Sequence, residues 1–122
     1  MSHSGLLVNE FYGTTVVTFQ DSLILDGVVV DAIGQELYEL VDKKAKRKII
    51  LDFTTVKSLS SSLIGVIITL QRKSAAINGR VILCGVRDEL MKVFKIVSLD
   101  KILMFAKNED AAMSVLSVGA SK

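Results

Sequence analysis

Residues 48–84 read KIILDFTTVKSLSSSLIGVIITLQRKSAAINGRVILC, and this stretch decides the fold. It opens on Lys48–Phe53, a short continuous apolar run bounded by charges and threonines, the pattern of a strand covered on both faces. A helix is predicted over about Ser61 to Ile77, the Asn78-Gly79 pair supplies a turn, and Arg80–Cys84 makes a second buried strand. Two apolar strands joined through a helix make a parallel crossover unit.

Upstream, Leu6–Phe11 and Thr14–Phe19 are rich in β-branched and aromatic residues. They are separated only by Tyr12-Gly13, which predicts an antiparallel hairpin. A helix follows over about Gly27 to Lys43. Its Val29, Ile33, Leu37, Leu40 and Val41 fall on one arc, with Asp31, Gln35, Glu39 and Asp42 opposite and Asp26 at its N-cap. Downstream, Leu90, Val93, Phe94 and Val97 share helical spacing over Asp88 to Val97, and Ile102–Phe105 reads as a last short strand. Asn108 caps a final helix whose first turn carries Glu109 and Asp110 at the positive end of the dipole. The expected fold is α/β, a mixed β-sheet with an N-terminal antiparallel hairpin and about four α-helices. A single domain is expected over residues 6–117, with flexible termini at 1–5 and 118–122.

Composition narrows the function. The chain has 122 residues, 50% of them hydrophobic and 23% charged, enough apolar material for one core. A net charge of +2, from 15 basic and 13 acidic residues, is too balanced for a nucleic-acid partner. The cluster Lys43, Lys44, Lys46, Arg47 and Lys48 spans a helix end and a strand start, where solvated cations complement the dipole. Mean hydropathy is +0.47. Even so, the longest uncharged stretch, Ser58–Gln71, falls short of the ~20 residues a spanning helix needs, so no membrane insertion is expected. No secretory pattern opens the chain, and Cys84 is its one cysteine; both fit a cytoplasmic location. With His3 the one histidine, no His/Cys metal site can be assembled, and a Ser-His-Asp triad would have to use that terminal residue. No phosphate-cradling glycine motif is present. Neither cofactor nor catalysis is expected. Cys84 reads as an inert core thiol, and Met91, Met104 and Met113 as packing.

Within Ile50–Leu103 the sequence resembles the STAS domain, the fold of bacterial anti-sigma factor antagonists. The family pattern L-D-L-S-x-V-x-F-x-D-S-S-G-L-G is met at Leu51, Asp52, Val56, Ser61, Ser62 and Gly65. Asn78-Gly79-Arg80-Val81, Cys84-Gly85-Val86, Val93-Phe94 and Ile96-Val97-Ser98-Leu99-Asp100 resemble its later landmarks, and the resemblance runs over about residues 6 to 117. It implies a regulator that binds an anti-sigma factor doubling as a serine kinase. Phosphorylation of the serine after the pattern's aspartate would switch it off, and a phosphatase would restore it. That serine is Ser61, with Ser58, Ser60 and Ser62 as alternatives. Phosphate is physically suited to a helix start, where orphan amides tolerate negative charge. The resemblance also implies partner contacts at Asp26, Ser60, Ser61 and Ser62, in a monomer or weak homodimer.

Two positions depart from the pattern: Ser60 stands where the family has aspartate, and Leu63 where it has glycine. Leu63 in that place adds a side chain where glycine would let a partner's backbone approach. The serines also suit plain N-capping. The alternative is therefore a phosphorylation-independent STAS adaptor or scaffold subunit in a signalling or transport-regulating complex. On the second helix Leu63, Val66, Ile67, Leu70 and Ile77 form the expected core arc, and Ile64, Ile68 and Ala75 extend it to about 200°. Either a neighbouring helix covers that extension, or Ile64 and Ile68 belong to a docking surface beside Ser61.

Overall fold

A computed structural model describes residues 5–120, with side chains through Leu116. The hairpin forms as read: β1 (Leu6–Phe11) and β2 (Thr14–Phe19) pair antiparallel, with Phe11 opposite Thr14. Tyr12 and Gly13 between them both take positive φ, +53° and +79°, as a two-residue type I′ turn requires. The chain then runs through β3 (Leu23–Ile24), α1 (Gly27–Asp42), β4 (Lys48–Asp52), β5 (Ser58–Leu59) and α2 (Ser61–Ala76). It ends with β6 (Arg80–Cys84), α3 (Asp88–Ile96), a 3-10 turn at Leu99–Lys101, β7 (Met104–Ala106) and α4 (Glu109–Ala120).

The five-stranded sheet has the order β1-β2-β4-β6-β7, parallel throughout except at β1. Each crossover steps one strand in the same direction. Right-handed connections then place α1, α2 and α3 on one face. There Val17, Ile49, Leu51, Val81 and Leu83 meet Ile33, Leu37, Leu63, Ile67, Leu70, Leu90 and Phe94 in the main core. The opposite face carries a smaller core, in which Val16, Ile50, Ile82 and Cys84 are covered by Ala112 and Leu116 of α4. Alternate residues of β2, β4 and β6 thus feed two cores, which is why their sequences read as unbroken apolar runs.

Some expectations are corrected. On α1, Val30 is fully buried, while Val29 is only partly so. On α3, Leu90 and Phe94 are buried and Met91 packs against the core, while Val93 is exposed and Val97, beyond the helix end at Ile96, is exposed as well. The last strand begins at Met104, since Leu99–Lys101 first makes a 3-10 turn entered through Ser98 at φ +62°. The first and last few residues, His3 included, lie outside the described residues. Gly5 accepts the Gln20 amide at 3.1 Å, and α4 continues through Ala120. No helix among the described residues is long and apolar enough to cross a membrane.

Cys84 is fully buried, and burial first, then the charges of Asp52 and Glu109, push its thiol up to about 12. It stays a neutral packing group.

Candidate functional site

Two two-residue strands build the site. β3 and β5 pair parallel, with Leu23 opposite Ser58 and Ile24 opposite Leu59. The amides of Lys57 and Ser58 donate to the Ser22 carbonyl at 2.7 and 3.1 Å, and the Ser60 amide donates to that of Ile24 at 2.9 Å. These bonds hold the segment leading into α1 against the segment leading into α2. The Asp26 loop and the serines at 60–62, 34 or more residues apart in sequence, therefore lie side by side.

Each of these side chains has a distinct local role. Asp26 caps α1: its Oδ1 accepts from the amides of Val28 at 2.7 Å and Val29 at 3.4 Å. Ser60 caps α2, its Oγ accepting from the Leu63 amide at 3.4 Å. Serine and aspartate are both preferred N-caps, so Ser60 keeps the helix start and gives up only the charge. Ser61 and Ser62 occupy the first turn of α2, both exposed, and neither hydroxyl bonds another described residue. Ser58 is half-buried in β5. Leu63 is completely buried in the main core, so this departure from the family pattern adds nothing to the outer surface. Ile64 and Ile68 are half-buried and pack against the main core, leaving only part of each side chain to a partner.

Gly65, one turn below Ser61, is exposed, and a Cβ there would meet nothing within 4 Å. The surface beneath Ser61 is consequently flat. Gly65→Ala is expected to stabilise the fold by about 0.5–1 kcal/mol through helix propensity. The same methyl should weaken any complex in which a partner lies against this turn. Thermal unfolding and binding measured on one preparation read both effects.

A second cluster sits at the C-terminal end of β4, where Asp52 and Cys84 are register partners. Asp52 is nearly buried, and its Oδ1 accepts from the Thr54 amide at 2.8 Å and hydroxyl at 2.6 Å. Burial pushes the Asp52 carboxyl up, but hydrogen bonds from Glu109 and Thr54 outweigh it and hold the group below its ordinary value. Glu109 of α4 is raised to about 7, by its hydrogen bond to Asp52 first, then by burial and the charges of Asp52 and Asp110. Of the two carboxyls, Glu109 is therefore the one whose neutral form the site favours. Because folded Glu109 keeps a proton that the unfolded chain has lost, stability is expected to fall as pH rises from about 4.5 through 7. Discounted for the partial exposure of Glu109, the loss should be about 1–2 kcal/mol. Glu109→Gln should flatten that slope, which urea unfolding at pH 5, 6, 7 and 8 would show. Sequence reading assigned Glu109 only to the helix dipole; nothing in the sequence ties it to Asp52, 57 positions away.

Between the hairpin and α4 lies an open cleft of about 260 Å³ lined by Phe11, Tyr12, Val16, Glu109, Asp110 and Met113. Val16 and Met113 belong to the small core, on the face of the sheet away from α2, so the cleft is separate from the serines. Among the described residues no group of three or more His, Cys, Asp and Glu could hold a metal ion.

The described fold is shared with solved structures of low sequence identity. An anti-sigma factor antagonist from Mycobacterium paratuberculosis superposes with a TM-score of 0.79 at 20% identity, over 90% of this chain and 91% of that one. The Bacillus cell fate determinant SpoIIAA in its phosphorylated form gives 0.71 at 23% identity, over 90% and 98%. A chain of the stressosome, described as a signal integration and transduction hub, gives 0.73 at 16% identity, over 95% and 100%. The STAS-domain family model matches residues 6–112, from β1 into α4. Taken with the hairpin-led sheet and the serine-bearing start of α2, that match places the chain in the STAS-domain family.

Proposed function

We propose that this chain is an anti-sigma factor antagonist that binds a kinase-type anti-sigma factor and is switched by phosphorylation of Ser61. The observation that carries the reading is the state of Ser61: exposed in the first turn of α2, its hydroxyl bonding no other described residue, while Ser60 does the capping. A kinase needs such a hydroxyl, and the amides of a helix start tolerate the phosphate it leaves. Asp26, held beside the serines by the β3–β5 pairing, extends the contact surface, with the exposed parts of Ile64 and Ile68 below. The protein is then a regulator and kinase substrate in the cytoplasm, reset by a phosphatase, and not itself a catalyst.

The test is incubation of the purified chain with ATP and the kinase-type anti-sigma factor encoded in the same genome, followed by mass-spectrometric mapping. One phosphate on Ser61, absent from Ser61→Ala, is the expected result. Phosphate on Ser58, Ser60 or Ser62 overturns the assignment.

A second reading, a STAS adaptor subunit without a phospho-switch, is favoured by one feature. Ser60 replaces the family's aspartate and so removes a charge beside Ser61. The likeness to a stressosome chain fits a scaffold of this kind. Stable partner binding with no phosphate transferred would select it.

A further inference from the structure

We propose that Leu23, Leu25 and Val28 form an apolar lip beside the serines that seats the partner protein, and that this partner presents an apolar pocket with a basic rim. The inference rests on the reading above and names the part of the site that supplies adhesion. The three side chains are 60%, 56% and 78% exposed, yet Ile24 between the first two and Val30 just beyond the third are each 2% exposed. Anchoring by the buried pair and by the β3–β5 bonds fixes the segment while its other apolar side chains face outward. Leu25 directly follows Ile24, whose carbonyl holds the Ser60 amide, so the lip adjoins the start of α2. Three large apolar groups are exposed within six residues, from β3 into the first turn of α1, and exposed apolar groups so grouped mark an interaction surface.

Charge identifies the occupant. Asp21, Asp26 and Asp31 flank these residues in the chain, are exposed, and join no salt bridge among the described residues, Asp26 capping α1 and the Asp21 carboxylate lying beside Gly5. Lys57, whose amide bonds Ser22, is a cation at the edge of the same segment. A second copy docking by a two-fold axis would set three aspartates against three, so self-association is disfavoured. A partner with basic residues around an apolar pocket meets both features. The lip then sets the dissociation rate, and the solvated rim sets the association rate and its salt dependence.

The variants are Leu25→Ser with Val28→Ser, Leu23→Gln with Val28→Gln as a second pair, and Asp21→Asn with Asp31→Asn, which spares the Asp26 cap. Each is titrated against the purified kinase-type anti-sigma factor, with circular dichroism confirming the fold. Both apolar pairs should weaken binding at least 20-fold, and the aspartate pair should slow association at low salt while leaving dissociation unchanged. Affinities of both apolar pairs within twofold of the parent overturn the lip and leave the Ser61 reading standing. A parent chain that binds no such kinase overturns both. A parent that sediments as a dimer, and a lip variant that sediments as a monomer, would give the surface to a second copy and overturn the proposal.

Discussion

Ser61→Asp should weaken the complex with the proposed kinase-type partner by at least two decades while leaving the fold intact. The two effects have different origins. In the free protein the new carboxylate sits in the first turn of α2, which carries no acidic residue, and near the positive end of the helix dipole. The gain is about 0.3–1 kcal/mol, a rise in Tm of a few degrees at most. In the proposed complex the same charge is pressed into the contact over the first turn of α2, away from the basic rim that meets the aspartates beside the lip, and it must shed its water without gaining a matched counter-charge. An uncompensated charge buried in this way costs on the order of 3–5 kcal/mol, or two to four decades in affinity. A full phosphate, with about two charges, should exceed the aspartate. Ser62→Asp gains the same dipole stabilisation but points about 100° further around the helix, toward the edge of the contact surface, and should weaken binding less. Calorimetric titration of the three proteins against one partner preparation separates the positions. Parental affinity in Ser61→Asp would remove the switch from this site.

The sequence carried the long elements because their periodicity is strong. Lys48–Asp52 and Arg80–Cys84 are apolar on both faces, and α1 and α2 each bury one consistent stripe. It could not carry β3 and β5, since two residues set no period, and their pairing depends on the Ser22 and Ile24 carbonyls meeting amides far along the chain. The candidate site divides in the same way. Serines at a helix start were visible, and so was Asp26, but the separation of a capping Ser60 from an unbonded Ser61 is a matter of which hydroxyl points at the Leu63 amide. Leu63 illustrates the converse: beside a serine motif it looked like an obstruction to a partner, while helical geometry turns it inward to complete exclusion from solvent. Leu23, Leu25 and Val28 carry no periodic signal in the sequence, because only the buried positions of Ile24 and Val30 reveal that their neighbours face out.

Beyond the site the fold has a tight constraint at Gly85, and Gly85→Ala is expected to destabilise it by about 3 kcal/mol. Gly85 follows β6 at φ +67°, a conformation that costs an alanine roughly 1–2 kcal/mol. An added Cβ would also press on the Thr54 hydroxyl oxygen, well inside contact distance, and lie 3.2 Å from the Thr54 Cα. Thr54 cannot simply turn away, because its hydroxyl donates to Asp52 Oδ1 at 2.6 Å and its amide donates to the same oxygen at 2.8 Å. Displacing the hydroxyl leaves a nearly buried carboxylate short of a donor, a loss of about 1.5–3 kcal/mol for a bond to a charged group. Partial relaxation of the loop brings the sum to about 3 kcal/mol, and for a chain of this size Tm should fall by roughly 10–15 °C. The mechanism predicts coupling as well as size. Thr54→Ala alone forfeits the hydrogen bond. In Gly85→Ala with Thr54→Ala that bond is already gone and the clashing oxygen is absent, so the double variant should lose about 1 kcal/mol less than the two singles added together. Additive losses would show that Thr54 is not what Gly85 accommodates, and that the positive φ alone keeps glycine at this turn.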